Sequence, residues 1–191
     1  MFRLFVGIPV PSMIRARLAS LCSGIPGARW VTPENMHITL RFIGTVGGGD
    51  AEDIHERLSQ IQSPAFTLTL ANVGCFESGR KVHSLWVGVN REPYLIRLAD
   101  KVDSAIVRAG IVPERRKFKP HVTLARFRTG GSPRIGAFIE RNSPFTTAPF
   151  SVGHFTLFRS FLGSEGAHYE SLADYPLRPA AAVPLAAAAG R

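Results

Sequence analysis

The sequence predicts a protein of strands and helices arranged as two similar lobes, and three observations lead to this prediction. A short motif occurs twice, as His37-Ile-Thr-Leu-Arg-Phe42 and, 84 residues later, as His121-Val-Thr-Leu-Ala-Arg126. The predicted elements around the two copies follow the same order, which is typical of an internal repeat. The composition, with 45% apolar and 19% charged residues among 191, is that of a folded protein with a sizeable core.

Each half of the chain is predicted to run strand, helix, motif strand, helix. In the first half an apolar, proline-bounded segment predicts a buried strand, and helical periodicity precedes and follows the motif. These elements are Phe2 to Ile8, about Ser12 to Leu21, the motif strand at His37, and about Asp50 to Ile61.

The second half repeats the order, with a proline near the start of its long helix. Its elements are Val82 to Val89, Pro93 to Ala109, residues 121 to 128, and Pro133 to Glu140. Further strands are expected at Phe66 to Ala71, Phe150 to Phe158 and about His168 to Leu172.

This duplicated order predicts a pseudo-twofold axis that places the two motif strands opposite each other across one cleft. We expect residues 1–177 to form a single bilobal domain, with the motifs at 37–40 and 121–124. Residues 178–191, rich in alanine and broken by proline, are expected to be a low-complexity tail with little fixed structure.

Charge and cysteine content limit the partners and the compartment. The formal charge of +9, from 23 Lys and Arg against 14 Asp and Glu, favours a polyanionic partner, although a basic surface can also serve solubility alone. Cys22 and Cys75 lack metal-ligand spacing and are too few for a disulfide framework, which favours a reducing cytoplasm. No segment approaches the roughly 20 apolar residues of a membrane span, so a soluble protein is expected.

The motif places two kinds of polar group on one side of a strand. Because alternate side chains share a face, His37 and Thr39 point one way, and His121 and Thr123 do the same in their own strand. An imidazole and a hydroxyl about 6.6 Å apart can engage one small anionic group together. Either motif alone is typical of an amphipathic strand, but two copies in matching contexts indicate a site with two proton-handling groups.

A metal site is the main alternative, since histidine is a common zinc ligand. Threonine is a poor ligand, neither an HExxH motif nor a cysteine cluster is present, and only Glu34 and Glu114 lie near the motifs in sequence. We therefore predict no metal and no cofactor. Displacement at a phosphodiester needs a base, an acid and donors for the phosphate oxygens, and a strained cyclic phosphate needs the least electrophilic help.

At these residues the sequence resembles the 2H phosphoesterase superfamily, and within it the bacterial and archaeal RNA 2',3'-cyclic phosphodiesterases, also called the 2'-5' RNA ligase family. The resemblance covers about residues 2 to 177. It is carried by Trp30-Val-Thr-Pro-Glu-Asn-Met-His37-Ile-Thr39-Leu-Arg-Phe-Ile-Gly44, Phe118-Lys-Pro-His121-Val-Thr123-Leu-Ala-Arg126 and Tyr169-Glu-Ser-Leu-Ala-Asp-Tyr-Pro-Leu177.

The resemblance implies a bilobal α+β fold with an antiparallel sheet and helices in each lobe, and hydrolysis of RNA 2',3'-cyclic phosphate ends to 2'-phosphomonoesters. By this analogy His37 is the proton donor and His121 the proton acceptor, with Thr39 and Thr123 binding the phosphate. Joining of RNA through a 2',5' linkage is implied as a side activity. The substrate would be RNA, including tRNA fragments, and the enzyme a monomer.

The family also uses the residues that match Phe42 and Arg126 to hold the terminal base. Strand alternation disagrees, because an offset of five places both on the face opposite the histidines and places Arg41 on the histidine face, unless the strand twists or bulges. A core role for Phe42 and a surface ion pair for Arg126 therefore stay open. So does a phosphate contact by the basic run 115–119, which could equally be a solvated loop.

Two other hypotheses remain at this point. The first is an RNA-binding module that recognises phosphorylated ends without turnover, which the basic charge and a stacking Phe42 would suit. The second keeps the chemistry but changes the substrate to a small cyclic nucleotide, an ADP-ribose cyclic phosphate or a 2',5'-oligoadenylate.

Overall fold

The computed structural model describes residues 1–79, 81–128, 130, 132–163 and 166–179. It contains ten strands and four α-helices within these ranges, together with a short 3-10 helix at Pro33–Asn35. The strands are β1 (Phe2–Pro9), β2 (Arg29–Trp30), β3 (His37–Val46), β4 (Phe66–Leu68), β5 (Leu70–Ser78), β6 (Lys81–Val89), β7 (His121–Arg126), β8 (Phe150–Val152), β9 (His154–Gly163) and β10 (Gly166–Pro176). The helices are α1 (Ser12–Ala19), α2 (Gly48–Ser59), α3 (Pro93–Arg108) and α4 (Ile135–Asn142).

The predicted α+β fold with antiparallel sheets in two lobes is confirmed. The first lobe has the strand order β10-β9-β1-β3, and the second has β7-β6-β5 with β2 added beside β7. All of these pairings are antiparallel. The strands of the two lobes form one eight-stranded sheet, in which β3 and β7 pair only at Ile38 and Val122.

The two lobes exchange strands between the halves of the sequence. β5 belongs to the first half but pairs with β6 in the second lobe, whereas β9 belongs to the second half and pairs with β1 in the first lobe. The short strands β4 and β8, which precede β5 and β9, pair with each other. Neither half of the chain therefore contains a complete lobe.

Two predicted strands are each divided in the structure. The segment predicted at 66–71 separates into β4 and β5, and the segment predicted at 150–158 separates into β8 and β9. In each case the first strand belongs to the small β4–β8 sheet and the second strand belongs to the large sheet. The local apolar pattern does not show this division. The two-residue strand β2 was not predicted, because two residues are too few to show alternation.

The helices cover the apolar face of the sheets. α3 begins with Pro93, its cap Glu92 accepts a hydrogen bond from the Tyr94 amide at 2.9 Å, and it packs against β3 and α2. Apolar side chains at helical spacing on α3 are buried, among them Leu95, Leu98, Val102 and Ile106. One continuous core results, and the opposite face of the sheets is left open for polar residues.

The C-terminal end of the described residues is paired with the body of the protein. The Arg178 carbonyl accepts a hydrogen bond from the Ala65 amide at 2.6 Å, and the Arg178 amide donates to the Ser63 carbonyl at 2.9 Å. Residues 180–191, which form most of the predicted tail, lie outside the described residues. None of the helices in the described ranges has the length and apolar character needed to cross a membrane.

Candidate active site

The two histidine motifs lie side by side where the lobes meet. β3 and β7 are antiparallel and share the Ile38–Val122 pair, so that each histidine stands one residue before a buried junction residue. Ile38 and Val122 are completely buried, while the histidines and their threonine partners are partly exposed on the other face. The two predicted motif strands therefore lie next to each other where the lobes meet.

A β-bulge interrupts each motif strand three residues after its histidine. In β3 the pairing with β1 skips Leu40, and in β7 the pairing with β6 skips Leu124. A bulge reverses the alternation beyond it, so Phe42 and Arg126 return to the histidine face. Phe42 is 54% exposed, with its ring centroid 6.0 Å from that of Phe5, a neighbour of His37.

Simple alternation was therefore wrong about Arg41. This side chain is only 8% exposed and points away from the histidines, because the bulge at Leu40 turns it towards the helices. Its Nε lies 2.7 Å from Asp103 Oδ1 of α3, as an ion pair rather than an aligned hydrogen bond. Its guanidinium also donates to the Val112 carbonyl and lies 3.7 Å from Glu114, so it ties β3 to the loop before β7.

His37 is enclosed by aromatic rings from three other strands. Its ring centroid lies 4.7 Å from Phe5, 5.9 Å from Phe158 and 5.2 Å from Tyr169, the last in an edge-on contact. The His37 Nδ1 lies 2.7 Å from the Asn35 carbonyl, and its Nε2 lies 3.1 Å from Thr39 Oγ1. The hydrogen bond to Thr39 connects the two polar members of the first motif.

His121 has a similar anchor but a more open setting. Its Nδ1 lies 2.7 Å from the Lys119 carbonyl, which matches the His37 contact two residues upstream. Its ring neighbours are Phe76, edge-on at 4.8 Å, and Trp86 at 6.3 Å.

These anchors fix the tautomer of both rings. A carbonyl oxygen only accepts hydrogen bonds, so the Nδ1 of His37 and of His121 must each carry the proton. In the neutral imidazole Nε2 is then unprotonated, and it is the nitrogen that gains or loses a proton. Both histidines are thus set to exchange protons through Nε2.

Burial and a nearby cation disfavour the charged form of both histidines. Burial is the largest influence on His37 and lowers its pKa to about 4; the Asn35 carbonyl opposes the shift, while Arg126 and His121 add to it. Burial also lowers the pKa of His121, again against the carbonyl of Lys119 and with help from Arg126. The guanidinium of Arg126 therefore acts on both rings at once.

A cleft of about 1040 Å³ opens beside the histidines and receives residues from both lobes. Phe42 and Arg126 line it, as do Phe5, Asn35 and Tyr169, which contact His37 directly or through its anchor. The motifs did not predict Phe5, Phe158 or Trp86 as site residues. A second signal was present, because the segments Leu4-Phe-Val-Gly-Ile8 and Leu85-Trp-Val-Gly-Val89 repeat each other and place Phe5 and Trp86 beside their histidines.

The remaining candidates are placed as follows. The basic run 115–119 is exposed except for a half-buried Phe118, and it precedes His121 in the loop that Arg41 contacts.

Within the described part of the chain, no group of three or more His, Cys, Asp or Glu side chains is placed together as a metal site would require. Cys22 and Cys75 are both free thiols, and burial raises the pKa of Cys22 to about 11.

The fold and the paired motifs define the two-histidine class of phosphoesterases. A family model described as LigT-like phosphoesterase matches residues 8–86 and then residues 87–169, once for each half of the internal repeat. The chain belongs to this LigT-like phosphoesterase family.

Known proteins of similar length match most of this chain and almost all of their own length. The RNA 2',3'-cyclic phosphodiesterase of Archaeoglobus fulgidus is 32% identical over 173 residues, which cover 89% of this chain and 97% of that protein. The crystal structure of Escherichia coli LigT in its apo form is similar with a TM-score of 0.77 and 28% identity, covering 93% of this chain and 98% of that one. Its complex with 3'-AMP has a TM-score of 0.74 at 28% identity, with 92% and 98% covered.

Proposed function

We propose that the protein hydrolyses RNA 2',3'-cyclic phosphodiester ends to 2'-phosphomonoesters by acid-base catalysis between His37 and His121. The observation that carries this proposal is the pair of motifs on one face of the lobe junction, each histidine anchored through Nδ1 to a carbonyl. Two proton-exchanging Nε2 atoms beside one guanidinium suit displacement at a phosphodiester. The relatives named as RNA 2',3'-cyclic phosphodiesterases support the choice of substrate.

In the proposed reaction, water attacks phosphorus and the bond from phosphorus to the ribose 3' oxygen breaks. His121 Nε2 accepts the proton of the attacking water, and His37 Nε2 donates a proton to the departing 3' oxygen. The product carries a 2'-phosphomonoester and a 3'-hydroxyl. When the 5'-hydroxyl of a second RNA replaces water, the same steps give a 2',5' linkage, which we propose as a side activity.

The different surroundings of the two rings support this assignment of acid and base. A His37 imidazolium with a pKa lowered to about 4 is a stronger acid than an ordinary one, which suits protonation of a leaving alkoxide. The anionic cyclic phosphate favours the charged form of a nearby imidazole when it binds. His121 is less enclosed and meets water more easily.

The polar neighbours of the histidines are proposed to bind the phosphate, and the aromatic neighbour is proposed to bind the terminal base. In the free enzyme the Thr39 hydroxyl donates to the unprotonated Nε2 of His37, and protonation of His37 releases it. Thr39 and Thr123 are then proposed to donate hydrogen bonds to the phosphate oxygens. The exposed ring of Phe42 offers a stacking surface for the terminal base, opposite Arg126. The influence of Arg126 on both histidines also suits a contact between its guanidinium and the phosphate.

We propose further that the enzyme acts as a monomer in the cytoplasm on RNA fragments such as those of tRNA. Two free cysteines agree with a reducing compartment, and the formal charge of +9 agrees with an RNA substrate. Residues 1–177 are proposed to act as one bilobal unit.

The direct test replaces each histidine by alanine and assays an oligonucleotide that ends in a 2',3'-cyclic phosphate. We expect His37→Ala and His121→Ala each to lower kcat by about 10² to 10⁴, the usual contribution of a general acid or base. His83→Ala, at an exposed strand position outside the cleft, is the matched control and keeps full activity. Undiminished turnover in either site variant would refute the mechanism, and salt-sensitive binding without any product would favour an RNA-binding module.

A further inference from the structure

The cleft beside the histidines contains more positive charge than the proposed reaction needs. Four arginines line it: Arg3 from β1, Arg29 from β2, Arg126 at the end of β7, and Arg128 two residues beyond that end. Among the described residues that line the cleft there is no Asp or Glu. None of the salt bridges found within the described ranges involves any of the four.

The strand pairing places these side chains on the catalytic face. Arg29 of β2 is the direct cross-strand partner of Arg126, so their side chains emerge on the same side of the sheet. Arg128 follows Arg126 by two residues, with the buried Phe127 between them, and therefore points the same way. Arg3 precedes Phe5 by two residues in β1 and shares the face of the ring that contacts His37.

One of these arginines acts on the histidines themselves. Arg126 helps to lower the pKa of both His37 and His121, so it belongs to the reaction centre. Alternate residues of a strand are about 6.6 Å apart, so Arg128 stands about one nucleotide step beyond Arg126. Cations collected in one cleft without carboxylates repel each other until an anion binds there.

We propose that Arg3, Arg29 and Arg128 form a second phosphate subsite, which takes the phosphate on the 5' side of the terminal nucleotide. This inference rests on the proposed function, because the cyclic phosphate at the histidines and the base at Phe42 define where the rest of the strand must leave. A cyclic mononucleoside leaves the subsite empty. An RNA strand, or a cyclic nucleotide that carries a 5'-phosphate, fills it with a group that guanidinium binds well.

Three substrates separate the subsite from the reaction centre. They are adenosine 2',3'-cyclic phosphate, its 5'-phosphorylated form, and the dinucleotide of adenosine that ends in a cyclic phosphate. We expect kcat/KM for the second and third to exceed that for the first by about tenfold or more at low salt, since each gains charge-assisted hydrogen bonds. The advantage should shrink as salt is added.

The variant that tests the assignment replaces all three arginines, as R3Q/R29Q/R128Q, and is compared with the single variant R29Q. We expect the ratio of kcat/KM between the 5'-phosphorylated and the unphosphorylated nucleotide to fall to near one in the triple variant and part of the way in R29Q. Arg57 is an exposed arginine on α2 outside this cleft. R57Q loses one positive charge, as R29Q does, and should keep the wild-type ratio. Thermal melting checks that the variants fold.

Each result decides the inference. Equal kcat/KM for all three substrates in the wild type overturns the subsite, as does a ratio that survives the triple substitution. A gain for the dinucleotide without a gain for the 5'-phosphorylated mononucleotide assigns the advantage to the second nucleoside and also overturns it. If no substrate is hydrolysed, the proposed function fails separately, and the subsite is then judged by whether adenosine 2',5'-bisphosphate binds more tightly than adenosine 2'-phosphate.

Discussion

The two histidines proposed to be catalytic have the same motif but different chemical surroundings. Both are anchored through Nδ1 to the carbonyl two residues upstream, which is a local contact that the motif itself determines. The rings around them come from distant strands, so His37 is enclosed by three aromatic neighbours and His121 by two. The sequence could therefore predict both residues and their shared face, but not the difference between them.

The lowered pKa values predict the pH dependence of the free enzyme. Burial lowers the pKa of His37 to about 4 and also lowers the pKa of His121 from its ordinary value, which favours the neutral form of both rings near neutral pH. Catalysis needs one protonated and one neutral ring, so we expect kcat/KM to be highest on the acidic side of neutrality and to fall as the pH rises above it. The measurement is kcat/KM for adenosine 2',3'-cyclic phosphate, whose own phosphate does not titrate there, from pH 4.5 to 8.5. An optimum at or above pH 7.5 would contradict the lowered values.

The buried side chain of Arg41 connects the first motif strand to α3 and to the loop before β7, on the side of the sheet away from the histidines. Arg41→Leu should lower the free energy of unfolding by about 2 kcal/mol, because it leaves the partly buried carboxylate of Asp103 without its cation and removes one of the two arginines beside Glu114. The double variant R41L/D103L removes the main unpaired charge and should be more stable than the single variant. Urea denaturation of both variants and of Asp103→Leu completes the cycle. Additive losses would show that the ion pair contributes nothing.

At the scale of the element, two bulges decide which residues face the cleft. Periodicity predicted the motif strands, and it gave the correct face for His37 and Thr39, because they precede the bulge. Beyond Leu40 and Leu124 the alternation reverses, and the residues five positions after each histidine join the site. A bulge depends on the register with the neighbouring strand, which is a non-local property that a strand pattern does not contain. The family resemblance placed Phe42 and Arg126 at the site, whereas strand periodicity placed them on the opposite face.

Position 74 of β5 must be glycine, because the ring of Trp86 lies against its backbone. A Cβ at position 74 would stand 2.4 Å from Trp86 Cη2, so Gly74→Ala must displace the ring that lies beside His121. We expect a loss of about 1 to 3 kcal/mol in stability, as in other overpacked sites, together with a lower kcat/KM. Urea denaturation and steady-state kinetics measure the two effects.

A matched substitution distinguishes this contact from the general effect of replacing glycine. Gly136 lies in α4, and a Cβ there would meet no atom within 4 Å. Gly136→Ala should therefore stabilise the protein by about 0.5 to 1 kcal/mol and leave kcat/KM unchanged. Wild-type stability and activity in Gly74→Ala would show that Trp86 is free to move at no cost.

For the whole molecule, the internal repeat predicted two lobes and a shared cleft, and the structure has both. The repeat could not predict that each lobe contains a strand from the other half of the sequence, because β5 and β9 pair with strands outside their own repeat. The apolar pattern of a strand shows that it is half-buried and leaves its partner undefined. Strand exchange, the β4–β8 pair and one continuous core join the lobes so closely that they are expected to unfold together.

This coupling can be measured because both tryptophans lie in the second lobe, Trp30 in β2 and Trp86 in β6. Leu4→Ala removes a buried side chain from β1 in the first lobe and should cost about 2 to 5 kcal/mol. If the lobes unfold as one unit, the urea midpoint followed by tryptophan fluorescence shifts as far as the midpoint followed by circular dichroism. A fluorescence midpoint that stays at its wild-type value while circular dichroism shows two steps would mean that the lobes unfold independently. The shared site would then depend on docking of two separate units, and the histidine pair would be lost before either lobe unfolds.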